Sequence, residues 1–229
     1  MPNPGPMSLI VKICGLSTEE TLDAALAGGA DMVGFNFFPR SPRFIAIDKA
    51  AALAEQARGK AEIVALTVDM EERAIADLHE AIRPDWLQMH GTESPDAVQA
   101  ARATFGRVIK ALPMATHADL ARIPRYAAVA DMLLLDAKPP KDATRPGGNA
   151  RTFDWTILTG YTPEVPYLLS GGLSPANVAE ALAITGAPGV DVSSGVETAP
   201  GKKDPALIRA FIANARAAVG GKVRERAAS

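Results

Sequence analysis

The sequence predicts an α/β protein in which parallel strands close into a (β/α)8 barrel. Short aliphatic and β-branched runs alternate with alanine-rich helical stretches from one end of the chain to the other. Such alternation is typical of parallel strands joined by helical crossovers. Eight strand and helix units fit into 229 residues, which favours a closed barrel over an open doubly wound sheet. The open sheet remains the alternative if one strand is misassigned.

The strands are predicted from runs of five to seven mostly apolar residues. They fall at 9–14, 31–37, 62–68, 86–90, 108–113, 131–136, 166–170 and 189–193. Two long irregular stretches, 38–47 and 137–152, follow the second and sixth strands. Long loops after barrel strands are usually functional, so both are candidate lids over an active site.

The helices are predicted from helical periodicity and from residues that begin or end helices. They fall at 18–28, 48–58, 71–82, 94–104, 117–129, 154–159, 174–185 and 204–218. Residues 17–20 have the spacing of a capping box, and Ser94 and Ser174 each precede a proline suited to the first helical position. Glycines at 28–29, 106 and 186 lie where helices are expected to end.

Composition restricts the class of protein and its partners. Hydrophobic residues make up 48% of the chain and no linker divides it, so we expect one barrel domain over 9–219. A proline-rich lead-in (1–8) and a charged tail (220–229) are expected to flank it. With a formal net charge of -2 and no long basic run, neither nucleic acid nor an anionic membrane is expected as a partner.

Cysteine usage and hydropathy predict the location of the protein. The single cysteine cannot form an internal disulfide. No apolar run approaches the roughly 20 residues that span a bilayer, and the first residues lack the features of a signal peptide. We therefore expect a cytoplasmic protein. The sequence is compatible with either a monomer or a homodimer.

That cysteine, Cys14, ends the first strand and precedes a glycine. Strand alternation places it on the same face as Lys12. A lone cysteine in an apolar context is usually a small buried hydrophobe. Its position at a strand end, beside an ammonium that would favour the thiolate, instead indicates a base or nucleophile.

Several other polar residues are predicted to point into the barrel if the aliphatic faces of the strands meet the helices. Lys12, Lys110 and Asp191 are interpreted as one structural ion network, since unpaired buried charge is costly. Asp136 ends the sixth strand, where an aspartate can cap a loop or donate a proton. Across the barrel mouth it would face Cys14. The remaining members of the predicted inward set are Asn36, Gln88, His90 and Ser193.

Two glycine-rich turns indicate an anion site. One contains Gly171 and Gly172 after the seventh strand, and the other is Ser193-Ser194-Gly195 after the eighth. Main-chain amides can approach an anion closely at glycines, and loops after these two strands commonly bind phosphate in this fold. Each turn alone is weak evidence, but together they favour phosphate binding.

The loop after the second strand carries two arginines, Arg40 and Arg43, among prolines and phenylalanines. They are either surface residues or a guanidinium fork for a substrate carboxylate. The sequence contains no HExxH, paired CxxC or P-loop pattern. Neither a metal nor a nucleotide is therefore expected.

Seven segments keep a common order and spacing: 12–15, 34–45, 87–91, 134–136, 153–155, 169–173 and 191–197. Together they resemble the phosphoribosylanthranilate isomerase family of tryptophan biosynthesis. The resemblance implies an Amadori rearrangement of N-(5-phosphoribosyl)anthranilate without a cofactor. It implies that Cys14 is the general base and Asp136 the general acid, and that Arg43 holds the anthranilate carboxylate. The glycines after strand 7 and residues 193–195 would bind phosphate, and His90 lies in a shared motif as a further substrate contact.

The chain departs from the family at residues 147–151, which read Gly-Gly-Asn-Ala-Arg where the family usually reads Gly-Gly-Thr-Gly. This difference is expected to affect a lid and not the chemistry. One rival is the histidine-pathway isomerase, which uses two aspartates for the same rearrangement. Another is a barrel that only binds a phosphosugar. Cys14 argues against the first rival, and the acid–base pair argues against the second.

Overall fold

The computed structural model describes residues 9–140, 146–148, 152–161 and 164–227. Within them a closed barrel of eight parallel strands runs in sequence order, β1 to β8. The first four strands are β1 (Ile10–Cys14), β2 (Met32–Asn36), β3 (Glu62–Thr67) and β4 (Trp86–Met89). The last four are β5 (Val108–Met114), β6 (Met132–Ala137), β7 (Tyr167–Leu169) and β8 (Gly189–Val192). The predicted (β/α)8 TIM barrel is confirmed, and the open sheet is excluded because β1 pairs with β8.

Seven α-helices of the described chain pack around the strands. They are α1 (Glu19–Gly28), α2 (Ile47–Ala57), α3 (Glu72–Ile82), α4 (Pro95–Phe105), α5 (Ile123–Ala127), α6 (Val178–Thr185) and α7 (Pro205–Ala227). The described chain also has three 3-10 helices, at His117–Arg122, Trp155–Leu158 and Ser194–Val196. A small hairpin is formed by β9 (Glu197–Ala199) and β10 (Lys202–Lys203). No helix of the described chain has the length and apolar character needed to span a membrane.

The helix boundaries follow the predicted signals in some places and depart from them in others. Ser94 caps α4 by accepting from the Ala97 N–H at 3.2 Å, and Gly29, Gly106 and Gly186 end their helices as expected. The predicted capping box at 17–20 is wrong, because Thr18 and not Ser17 accepts the N–H bond that caps α1.

Three predicted helices are shorter or more irregular than the sequence suggested. In 117–129 the first half is a 3-10 helix, because Pro124 has no N–H to donate and crowds the preceding turn. In 174–185 the α-helix begins only at Val178, because residues 174–177 form a turn stabilised by the Asn177 side chain. The predicted helix at 154–159 is a 3-10 helix of four residues.

The apolar core has two layers. The outer layer lies between the strands and the helices, and the inner layer fills the barrel. Ile109 and Ala111 of β5 belong to the inner layer, so Lys110 between them points outward. The prediction that Lys110 lies in the interior is therefore wrong. Val64 of β3 belongs to the inner layer. The inner layer consists of Met32, Val64, Trp86, Ile109, Ala111, Met132, Leu134 and Leu168.

Lys110 has an ion partner of its own outside the barrel. Its Nζ lies 2.6 Å from Glu93 Oε2 and also donates to the main-chain oxygens of Met89 and Gly91. Burial lowers the pKa of Lys110, and the attraction of Glu93 opposes this effect. The predicted single network is thus two separate ion pairs, Lys110–Glu93 outside and Lys12–Asp191 inside.

Candidate active site

A pocket opens at the carboxyl ends of the strands and encloses about 730 Å³, including its open mouth. Eight of the nine predicted site residues line it, and Gly195 does not. Strand alternation explains this convergence, because the last inward side chain of each strand reaches the same end of the barrel. The eight are Cys14, Arg43, His90, Asp136, Gly171, Gly172, Ser193 and Ser194.

Cys14 lies at the end of β1, with its side chain buried against β2. Gly34 of β2 makes room for it, since a Cβ at that position would lie 3.1 Å from the Cys14 Sγ. Burial raises the pKa of the Cys14 thiol, and the Asp191 carboxylate adds to this rise. The charges of Lys12 and Lys203 act in the opposite direction, as the sequence suggested for Lys12, but burial outweighs them.

Beneath Cys14, the barrel interior holds a buried ion pair. Lys12 Nζ donates to Asp191 Oδ1 at 2.6 Å, and Ser170 Oγ donates to Asp191 Oδ2 at 3.0 Å. Burial would lower the pKa of Lys12, but Asp191 and Cys14 raise it overall. The pair fixes a positive charge next to the thiol, and each of its two charges is compensated by the other.

Asp136 ends β6 on the opposite wall and is held by two hydrogen bonds. Its Oδ1 accepts the Ala137 N–H at 2.9 Å, and its Oδ2 lies 3.1 Å from His90 Nε2. His90 Nδ1 in turn lies 2.9 Å from Gln88 Nε2. Gln88, His90 and Asp136 therefore form a chain of side chains that ends at the predicted acid.

Arg43 is almost fully buried and is oriented by a bidentate ion pair. Its Nε and Nη2 donate to Glu197 Oε1 and Oε2 at 2.7 and 2.8 Å. Its Nη1 lies against Gly148, where a Cβ would overlap with it. One edge of the predicted guanidinium fork is thus occupied by Glu197, and Nη1 lies beside Gly148, which lines the pocket together with Arg43.

The loop that carries Arg43 is ordered by its own polar side chains. Asn36 Oδ1 accepts the Phe38 N–H at 2.9 Å, and Asn36 Nδ2 donates to Ser41 Oγ at 3.2 Å. Ser41 Oγ also accepts the Arg43 N–H at 3.2 Å. These bonds hold the segment after β2 over the mouth of the pocket.

The two glycine-rich turns meet on the side of the pocket formed by β7 and β8. Gly171 and Gly172 both have positive φ, of 88° and 64°, which favours glycine over residues with a side chain. Asn177 stabilises their loop, since its Nδ2 donates to the Gly172 oxygen at 3.0 Å. Ser193 and Ser194 face the same space from the second turn.

Gly195 has a packing role in this arrangement. A Cβ there would overlap with the Leu173 main-chain oxygen, so the absence of a side chain allows the two turns to approach each other. Gly195 thus brings the pocket walls together, and its contact with the substrate phosphate stays a prediction.

Sequence reasoning missed Lys203, which is buried beside the second turn. Its Nζ donates to the Ser193 oxygen at 2.9 Å and to Glu197 Oε1 at 2.6 Å. Burial lowers the pKa of Lys203, and the attraction of Glu197 opposes this. The Pro200-Gly201 dipeptide, a turn signal, could have revealed the hairpin that positions this lysine. Ser41 and Ser170 also line the pocket, and no sequence pattern predicts either of them as a site residue.

The candidate lid after β6 is described only in part. Gly147 and Gly148 line the pocket, where a Cβ on Gly147 would come within 2.7 Å of both Asp136 Oδ2 and His90 Nε2. Residues 149–151, which hold the departure from the family pattern, lie outside the described residues. The lead-in 1–8 does so too.

Fold and site together define a class of protein. A (β/α)8 barrel with a cysteine and an aspartate on opposite walls of its mouth is an enzyme suited to acid–base chemistry. The glycine-rich turns beside them indicate a phosphorylated substrate.

Comparison with known proteins identifies the family. Residues 11–214 match the family described as N-(5'phosphoribosyl)anthranilate (PRA) isomerase. The N-(5'-phosphoribosyl)anthranilate isomerase of Rhodopseudomonas palustris (strain BisB5) is 58% identical over 212 residues, which are 92% of this chain and 97% of that protein. The chain therefore belongs to the phosphoribosylanthranilate isomerase family of aldose–ketose isomerases.

Solved structures agree with this assignment. The crystal structure of phosphoribosyl anthranilate isomerase from Thermotoga maritima superposes with a TM-score of 0.83 at 35% identity, covering 91% of this chain and 99% of that one. Another isomerase structure, in complex with reduced 1-(o-carboxyphenylamino)-1-deoxyribulose 5-phosphate, has a TM-score of 0.80 at 32% identity, with coverages of 91% and 99%.

Proposed function

We propose that this pocket converts N-(5'-phosphoribosyl)anthranilate into 1-(2-carboxyphenylamino)-1-deoxyribulose 5-phosphate, with Cys14 as general base and Asp136 as general acid. The observation that carries the proposal is that these two residues face one pocket that also holds Arg43 and both glycine-rich turns. The reaction needs a group for each of two proton transfers and an anchor for each end of the substrate.

The first step is opening of the ribose ring. Asp136 protonates the furanose oxygen as the bond from that oxygen to C1 breaks, and the anthranilate nitrogen forms an iminium with C1. The hydrogen bond between Asp136 and His90 lies where negative charge develops on the aspartate. A donor at that position stabilises the charge.

The second step is removal of the proton from C2. The Cys14 thiolate takes this proton, and the electron pair of the broken C–H bond forms a double bond to C1, which neutralises the iminium. The enolamine then becomes the ketone by gaining a proton at C1 and losing one from the C2 hydroxyl. The ammonium groups of Lys12 and Lys203 favour the thiolate that this step requires.

The two ends of the substrate are anchored by different groups. The phosphate binds between the turns at Gly171–Gly172 and Ser193–Ser194, and the carboxylate binds the edge of Arg43 that bears Nη1. Glu197 supports this by holding the other edge of the guanidinium. Because His90 is already bonded to Asp136, its contact with substrate is secondary to its contact with the acid.

The reaction as proposed requires only one chain, since every group named above comes from the same chain. Either a monomer or a homodimer would therefore be active. Activity per chain is expected to stay constant when the protein is diluted through any dissociation seen by light scattering.

A fluorescence assay that follows the loss of freshly generated phosphoribosylanthranilate tests the proposal. Cys14→Ala and Asp136→Asn are each expected to lower kcat by about 10²- to 10⁴-fold, the usual contribution of a general acid or base. Both variants should still bind the reduced product analogue. Asp77→Asn, a matched change at an exposed site on α3, should leave kcat unchanged.

Other outcomes would contradict the proposal in distinct ways. Saturable binding of the analogue without turnover by the wild type would support a barrel that only binds phosphosugars. Turnover of the histidine-pathway substrate in place of the anthranilate would support the rival isomerase. A wild-type rate in either variant would remove that residue from the mechanism.

A further inference from the structure

Gln88 is the one member of the Gln88–His90–Asp136 chain that the reaction does not use directly. It lies on β4 with no exposed surface and points into the barrel between β3 and β5. Its Nε2 lies 2.9 Å from His90 Nδ1. A buried amide in contact with an imidazole restricts which ring nitrogen can carry the hydrogen.

We infer that Gln88 is a positioning residue for the general acid: its amide N–H binds His90 Nδ1, so that the ring hydrogen sits on Nε2 and points at Asp136. The inference rests on the proposed function, because it gives the Asp136 carboxylate a fixed donor.

The direction of these hydrogen bonds follows from Asp136, the last of the three linked side chains. An ionised carboxylate only accepts hydrogen bonds, and its bond to a donor is stronger than one between neutral groups. His90 Nε2, 3.1 Å from Asp136 Oδ2, is therefore a donor when the acid has lost its proton. The neutral ring then has a lone pair on Nδ1, and the Gln88 amide nitrogen supplies the donor that this lone pair needs.

The second polar atom of the amide makes no bond of its own. Gln88 Oε1 is buried and has no hydrogen-bond partner among the described residues. Among the described residues, the bond to His90 is therefore the one hydrogen bond that fixes the Gln88 amide. Since Gln88 Oε1 has no partner, removal of the amide breaks only its bond to His90.

The donor matters in the ring-opening step. As Asp136 gives up its proton, negative charge appears on the carboxylate, and the His90 N–H stabilises it without reorganisation. If the ring carried its hydrogen on Nδ1 instead, the lone pair of Nε2 would face the new charge. The acid would then be weakened while the substrate anchors stayed in place.

The first test is the histidine ring spectrum of the wild-type protein. The chain has three histidines, and His79→Gln with His117→Gln leaves His90 as the only signal. Long-range ¹⁵N–¹H NMR at a pH where the ring is neutral should show hydrogen on Nε2 and a bare Nδ1. Hydrogen on Nδ1 would overturn the inference without affecting the proposed reaction.

The second test separates positioning from packing. Gln88→Met keeps a side chain of similar length but cannot donate. It is expected to lower kcat about 10-fold, less than the loss of a donor that contacts the reacting atoms directly, with KM nearly unchanged and a mixed ring spectrum. Gln99→Met, the same change on the exposed face of α4, is the matched control. An unchanged kcat together with an unchanged ring spectrum would overturn the inference.

A third variant covers the case in which Gln88→Met fails to fold. Gln88→Glu has the same shape but accepts where glutamine donates, so it should draw hydrogen onto Nδ1 and lower kcat. Wild-type kcat in Gln88→Glu with Nε2 still protonated would refute the positioning role. Absence of turnover in the wild type would instead count against the proposed function.

Discussion

At the scale of single residues, the site depends on how burial and nearby charge compete at Cys14. A thiol at a strand end beside a lysine could be recognised from alternation alone. The sequence could not show that burial has the largest effect on the pKa of this thiol, because that pKa depends on all the groups packed around the sulfur. Asp191 and Lys203 come from β8 and β10, about 180 residues away in sequence.

The first prediction concerns the pH dependence of the reaction. Burial raises the pKa of the Cys14 thiol, and the proposed base is the thiolate. We therefore expect kcat/KM to rise with pH on the alkaline side of neutrality, as the free enzyme loses the thiol proton. A pH profile of kcat/KM measures this, and a profile that falls over the same range would contradict a thiolate base.

A lysine variant tests the electrostatic origin of that rise. The charge of Lys203 lowers the pKa of Cys14. Lys203→Met should therefore shift the rise of kcat/KM, the alkaline limb of the pH profile, to higher pH. Lys202→Met, its exposed neighbour in β10, should leave the limb in place. An unmoved limb in Lys203→Met would show that this ammonium does not influence the thiol.

At the scale of elements, the phosphate turns depend on close approach of two loops. The sequence predicted both turns from their glycines. It predicted Gly195 as a phosphate contact, and only the structure distinguishes the further role of this glycine in packing against Leu173. The distinction depends on the distance between segments that are over 20 residues apart, which local pattern does not contain.

The second prediction follows from this contact. Gly195→Ala places a methyl group onto the Leu173 oxygen, which belongs to the main chain and cannot move alone. We expect the turns to separate and binding of the reduced product analogue to weaken about tenfold, which corresponds to about 1.4 kcal/mol. Isothermal titration measures the loss.

The control for that prediction is another glycine. Gly220 lies in α7, where an added Cβ would meet no atom among the described residues, so Gly220→Ala is a matched change. It should leave affinity unchanged and slightly favour the helix. Equal affinities for wild type and Gly195→Ala would show that the turns tolerate separation.

At the scale of the whole molecule, the alkaline limit of stability depends on groups buried between barrel and helices. Tyr167 of β7 is one of them, and burial raises its pKa to about 12. Its unfolded value is about 10. Because the folded value is raised, the stability that Tyr167 contributes is complete below pH 10 and is lost as pH rises toward 12.

The third prediction is that Tyr167→Phe reduces this alkaline loss. At pH 11 the difference between the two pKa values lowers the free energy of unfolding by about 1.4 kcal/mol. Phenylalanine does not titrate, so the variant should not show this loss. Denaturant unfolding at pH 9 and pH 11 measures the difference for each protein. The same loss in both proteins between these pH values would exclude Tyr167 as its source.

Taken alone, the sequence determined the barrel, its eight strands and most of the residues that line the pocket. It could do so because hydrophobic period and strand ends are local properties, and the carboxyl ends of barrel strands meet at one face. Only the tertiary structure decided that Lys110 points outward to Glu93, that Glu197 holds Arg43, and that Lys203 lies beside Ser193. These contacts depend on strand register and on how the loops pack. Both are set by distances between separate segments, which the residue pattern within a single segment does not contain.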